Sequence, residues 1–169
     1  GNSSSGVLGD TWTWNGTNWT FKTPAQSPPG RFEHAMAYDA ARKQTILFGG
    51  VRVGTGEIMN DTWLWNGTNW TQVTPTQKPP RIRSSAMAYD AARQQVVMFG
   101  GYDPAIGYVG DTWVWDGTNW KKAPQATSVP ARANHAMAYD AERKVVVMYT
   151  GNADVPPYAT WTWDGTDWT

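Results

Sequence analysis

Thr62-Trp63-Leu64-Trp65-Asn66-Gly67-Thr68-Asn69-Trp70 is the stretch on which the fold turns. Aromatic and β-branched residues flank Asn66-Gly67, and neither flank shows the three-to-four spacing of a helical face. Glycine accepts positive φ without steric cost, so Asn-Gly between such runs specifies a tight hairpin. The same string, with Asn and Asp interchanging, begins at Thr11, Thr112 and Thr160, and the 12 tryptophans fall three to each copy. Trp12, Trp63, Trp113 and Trp161 are 51, 50 and 48 residues apart, a period that belongs to stacked or radially arranged units.

Working outward from that hairpin, Ala35-Met36-Ala37-Tyr38 is a short apolar run broken by Asp39–Lys43, and Thr45–Phe48 is a second run ending at Gly49-Gly50. Ala-Met-Ala-Tyr-Asp-Ala returns at Ala86 and Ala136. Each run is too short for a stable helix. Four strands per unit of about 50 residues is the pattern of a β-propeller blade, an antiparallel meander of two hairpins. The expected fold is all-β: an outer hairpin of a partial blade over 1–24, then blades over 31–75, 81–124 and 130–169. That makes fourteen strands, or three and a half blades. Asp39, Asp90 and Asp140 stand where a carboxylate can accept from its own turn. The paired alanines suit an inner strand where blades converge, and the tryptophans fill the diverging outer strands, so the whole indole array is expected to be core. Val96–Phe99 and Val145–Met148 are apolar on both faces, as a sheet covered from both sides requires.

The balanced charge, 14 basic against 14 acidic residues without like-charge runs, gives no electrostatic footprint for nucleic acid or an anionic membrane. Without cysteine there is neither a disulfide framework nor a thiolate metal site. No apolar stretch approaches the roughly 20 residues of a spanning helix. Gly1–Gly6 has no initiator methionine and no signal-peptide pattern, and the fourth copy stops at Thr169 where earlier copies run on into Thr-Pro or Ala-Pro. Both ends therefore read as cuts in a longer array, in a processed, excised or engineered chain.

Arg31 with His34, the doublets Gly49-Gly50 and Gly100-Gly101, Asp61 and Asp111 before Thr-Trp, and a final Trp in each unit together resemble the kelch repeat. The likeness is greatest to the bacterial variety related to the central domain of galactose oxidase, and it covers nearly the whole chain. Ser85 replaces the histidine of the second unit, Thr150-Gly151 the third glycine doublet, and Ala159 the aspartate before Thr160. The resemblance implies a propeller in an exported or extracellular bacterial protein, with His34 and His135 as hydrogen-bonding residues at the start of the inner strand. Two histidines from alternate blades lack a third metal ligand, and copper chemistry of the galactose oxidase type needs a cross-linked cysteine. No metal or other cofactor is expected, and the chain is not read as an enzyme.

Propellers of this kind usually carry about six or seven blades, and an unfinished arc would leave apolar sheet faces in water. The array is therefore expected to associate with copies of itself or with further blades. Two copies hold 28 strands, numerically seven blades, but the ends do not match unless hairpins are exchanged, displaced or left out. Once the repeated residues are set aside, the connectors between second and third strands carry most of what is left: Arg52, Glu57, Tyr102, Asp103, Tyr108, Asn152, Asp154 and Tyr158. Both kinds of inter-strand connector emerge on one rim of a meander, and variable loops on a rigid scaffold are where binding concentrates. These eight residues are the candidate binding set, with a glycan or a protein as ligand. The alternatives are an engineered or excised fragment whose main property is self-assembly, or part of a galactose-oxidase-like or glycan-active enzyme, the carboxylates available to a hydrolase being Glu33, Glu57, Asp103 and Asp154.

Overall fold

A computed structural model describes residues 2–3, 6–7, 9–153 and 159–169. Its first full blade is an antiparallel meander of Ala35–Asp39, Gln44–Phe48, Thr62–Trp65 and Trp70–Val73. The second follows the same order through Ala86–Asp90, Gln95–Phe99, Thr112–Trp115 and Trp120–Lys122. In the third, Ala136–Asp140, Val145–Tyr149 and Thr160–Trp163 form the sheet, and a bridge from Trp168 to Trp163 stands for the fourth strand. Ahead of them lie the hairpin of Thr11–Trp14 with Trp19–Lys22 and a short antiparallel pair, Asn2–Ser3 with Gly6–Val7. The expected fourteenth strand is thus a single bridge, because only Trp168 and Thr169 follow the last turn.

The local chemistry repeats with the strands. At each outer turn the side chain of Asn15, Asn66, Asp116 or Asp164 accepts from the backbone two and three residues on. At each inner turn Asp39, Asp90 or Asp140 accepts both a turn N–H and the guanidinium three residues later.

Packing between blades is specified as closely as the turns. Ala35, Ile46 and Phe48 of the first blade meet Met87, Val96, Met98 and Trp120 of the second. Ala88, Val97 and Phe99 meet Val146, Met148, Trp163 and Trp168 in the same way. The last tryptophan of each blade sends its indole N–H to a threonine of the preceding one: Trp70 to Thr11 at 2.9 Å, Trp120 to Thr62 at 3.0 Å and Trp168 to Thr112 at 2.8 Å. Arg42 reaches the carbonyl of Gln94, and Arg93 that of Lys144. The Ser84 N–H donates to the Glu33 carbonyl, and the Asn134 N–H to that of Ser84, so a backbone chain runs from blade to blade.

Two expectations need correction here. Trp12, Trp14 and Trp19 are 49%, 51% and 63% exposed, so the first copy of the indole array is surface and not core. Trp12 borders a groove against the first full blade, and no blade covers the hairpin's other side among the described residues. The second correction concerns the histidines. Nδ1 of His34 and both ring nitrogens of His135 are buried and meet no hydrogen-bond partner among the described residues. What the positions share is packing: a Cβ on Gly50 would lie 2.9 Å from that of His34, and one on Gly151 2.8 Å from that of His135.

Candidate functional site

Short ladders tie the two kinds of connector together on one rim. Arg31–Phe32 pairs with Val51–Arg52, Arg132–Ala133 pairs with Asn152–Ala153, and Arg83 bridges Tyr102. Beneath this rim Arg31 is buried and forks onto both oxygens of Asp61 at 2.7 and 2.8 Å while also donating to the Gly49 and Pro29 carbonyls. Burial alone would raise the Asp61 pKa, but hydrogen bonds from Arg31 and Trp63 and the guanidinium charge outweigh it and hold the carboxyl below its ordinary value.

The equivalent position is incomplete in the other two blades. Ile82 replaces the arginine of the second, leaving Asp111 to an exposed ion pair with Lys122 at 2.8 Å. In the third, Ala159 replaces the aspartate, and buried Arg132 donates only to the Pro130 and Thr150 carbonyls among the described residues. Burial lowers the Arg132 pKa. Beside it, burial first and the Arg132 charge second push His135 down to about 4, so that imidazole is neutral near pH 7.

Above these supports is a polar depression of about 300 Å³, lined by Glu33, Arg83, Ser84, Tyr102, Tyr108, Ala133, Asn134 and Asn152. All three full blades contribute. Arg83 lies over the Tyr102 ring, 5.3 Å from its centroid, and donates to Glu33 at 3.0 Å. The Ser84 hydroxyl donates to the same carboxylate oxygen at 2.8 Å. Tyr102 and Tyr108 pair across their own small hairpin, edge to face, at 5.3 Å. Nε of Arg83 is buried and has no acceptor among the described residues. The depression therefore offers two aromatic faces and two primary amides beside the Arg83–Glu33 ion pair, a set that recognises hydrogen-bonding groups carried on a flat or apolar framework.

Of the eight residues singled out in the sequence, Tyr102, Tyr108 and Asn152 meet in this depression. Arg52 is exposed outside it, its backbone engaged in the ladder to Arg31. Glu57 pairs with Arg81 at 2.6 Å on a neighbouring part of the rim. Asp103 is occupied by its own turn, accepting from the Ala105 N–H at 2.7 Å. Asp154 and Tyr158 lie outside the described residues. Glu33, Arg83, Ser84 and Asn134 were absent from that set because they belong to the constant-length connector. The signal available was substitution at fixed offset: Glu33, Ser84 and Asn134 occupy one repeat position, as do Phe32, Arg83 and Ala133. The carboxylates Glu33, Glu57 and Asp103 are each held by a partner, and no group of three or more metal-ligating side chains occurs among the described residues.

A family model described as the Attractin/LZTR1 beta-propeller matches residues 5–159. Among curated proteins, dynein regulatory complex subunit 7 of Chlamydomonas reinhardtii is 32% identical over 79 residues, which is 46% of this chain. The matched segment spans 7% of that protein's length.

Proposed function

The chain belongs to the Attractin/LZTR1 β-propeller family, and on that premise we propose that it is a non-enzymatic interaction module that receives a segment of a partner protein in the polar depression on its connector rim. The observation that carries this reading is the convergence of Arg83, Tyr102, Tyr108, Asn134 and Asn152 from different blades. The amides of Asn134 and Asn152 pair with the main chain of an extended peptide, while the tyrosines take its side chains. The name of the Chlamydomonas relative describes a subunit of a complex, which agrees with a protein partner. A finer part of the proposal is that further blades, from a second copy of the chain or from another segment, complete the array. An exported setting and a tie to the galactose oxidase domain are carried only by the kelch marks. Copper chemistry of that kind finds no cysteine in the sequence.

Selection of a displayed peptide library on the folded chain, with a glycan array run in parallel, tests the reading. Peptides whose binding falls at least tenfold on Tyr102→Ala and on Arg83→Ala, with an unchanged unfolding midpoint, are the expected result. Glycan hits lost on the same variants, with no peptide selected, would overturn the protein assignment in favour of a carbohydrate.

A further inference from the structure

We infer that the seat occupied by the N-terminal hairpin on the first full blade is the docking site for the last blade of a second copy. Two chains then complete a closed ring of six whole blades, and each extrudes its hairpin. The inference rests on the reading that further blades complete the array, and it names their source.

One interface is built twice inside the chain, and its two halves recur at the ends. The hairpin strand Thr11–Trp14 has the sequence Thr-Trp-Thr-Trp, as does Thr160–Trp163, whereas the two middle blades have Leu64 and Val114 at the third place. Thr11 already accepts the Trp70 indole, and Thr160 is the corresponding hydroxyl, exposed on the outward face of the last blade. The last blade thus carries the residues by which the hairpin holds its seat, together with the inner strands that the hairpin lacks.

Those inner strands have an empty place to go. Met36 and Tyr38 on the first blade are 44% and 56% exposed. A groove of about 240 Å³ lies between Met36, Leu47 and His34 on one side and Thr11 and Trp12 on the other. In the internal interfaces the hydroxyls of Tyr89 and Tyr139 accept from the N–H groups of Ala41 and Ala92. Tyr38 is the acceptor without such a donor, and Glu142 occupies the donor position of the last blade. Arg42 lies across Gly117 and Arg93 across Gly165, while Gly67 faces open space and the Arg143 side chain is 69% exposed.

One residue resists an identical fit. A Cβ on Gly49 would come within 2.6 Å of the Ile82 carbonyl of the next blade, and one on Gly100 would meet that of Arg132. Thr150 stands at the same place in the last blade with φ 58°. The second copy therefore seats slightly farther out than an internal blade does. With a seat at one end and its complement at the other, two copies close a two-fold ring.

Light scattering on the full chain is expected to give twice the 18.7 kDa chain mass. In that dimer trypsin should cut after Lys22 without changing the oligomer, since the hairpin is free. Ala138→Arg, at an exposed position whose counterpart Ala88 is buried against the next blade, should abolish the dimer while the monomer keeps its circular dichroism spectrum and melts at a midpoint that no longer depends on concentration. Thr150→Gly should tighten association about tenfold. A monomer at all concentrations, an open series of larger species, a dimer with Lys22 protected, a dimer that survives Ala138→Arg, or an affinity unmoved by Thr150→Gly would each overturn the inference. None of these variants touches the rim depression, so peptide binding lost on Tyr102→Ala stands or falls separately.

Discussion

Arg31, Ile82 and Arg132 occupy one repeat position and meet three different fates, and the differences set stability residue by residue. Removing the carboxylate in Asp61→Ala strands a buried guanidinium and should cost about 3–5 kcal/mol in urea unfolding. Ala159→Asp supplies the missing partner to Arg132 and is expected to raise stability by about 1–2 kcal/mol in the same measurement. His135 adds a pH signature. Its folded pKa is about 4 against 6.5 for the free imidazole, so the unfolded chain binds the extra proton between those values. The stability this provides is present above pH 6.5 and is lost as pH falls through 4, about 3 kcal/mol in all. Unfolding free energies of His135→Phe should be flatter across that window. Asp61, whose pKa is lowered, acts in the same direction at the acid end: its contribution is present above the unfolded carboxylate pKa and goes as pH falls. The substitution at Ala159 was visible in the sequence, but the burial of Arg132 that gives it consequence was not, since burial depends on connectors far apart in the chain.

Blades, as elements, were legible because every strand carries its own signal. Asn-Gly and Asp-Gly turns, paired alanines and doubly apolar second strands are local patterns, and the structure places hairpins or strands at each of them. Local pattern fails where identical strings meet different neighbours. Trp19 and Trp120 both follow Gly-Thr-Asn, yet Trp19 is 63% exposed and Trp120 is fully buried, edge-on to Phe48 at 5.4 Å and bonded to Thr62. Trp120→Ala should therefore destabilise by about 3–5 kcal/mol, and Trp19→Ala should stay within about 0.5 kcal/mol. Thermal melts of the two variants check this directly. The rim depression was half legible for a related reason: Tyr102, Tyr108 and Asn152 break the repeat, whereas Glu33 and Asn134 matter only because the blades bring one offset of three units together.

Across the whole molecule, stability should be graded. The second blade is covered on both faces, the third on one, and the N-terminal hairpin touches only the outer half of its neighbour. A linear array whose units interact only with neighbours opens first at its ends. On the chain held monomeric by Ala138→Arg, native-state hydrogen exchange should find the slowest amides in Gln95–Phe99 and the fastest strand amides in Thr11–Trp14 and Thr160–Trp163. Equal protection throughout would instead indicate one indivisible cooperative unit.

The backbone chain from Glu33 through Ser84 to Asn134 has a direction, since each N–H points to the carbonyl of the blade before it. Its two termini are consequently unlike, as the two poles of a magnet are. A gene duplication that copies a whole unit, cut at any point, delivers a new blade with its donor and acceptor already facing the right way. A duplication of any other length sets donor and acceptor out of step with the neighbouring blade, so only whole blades can be added without losing these bonds.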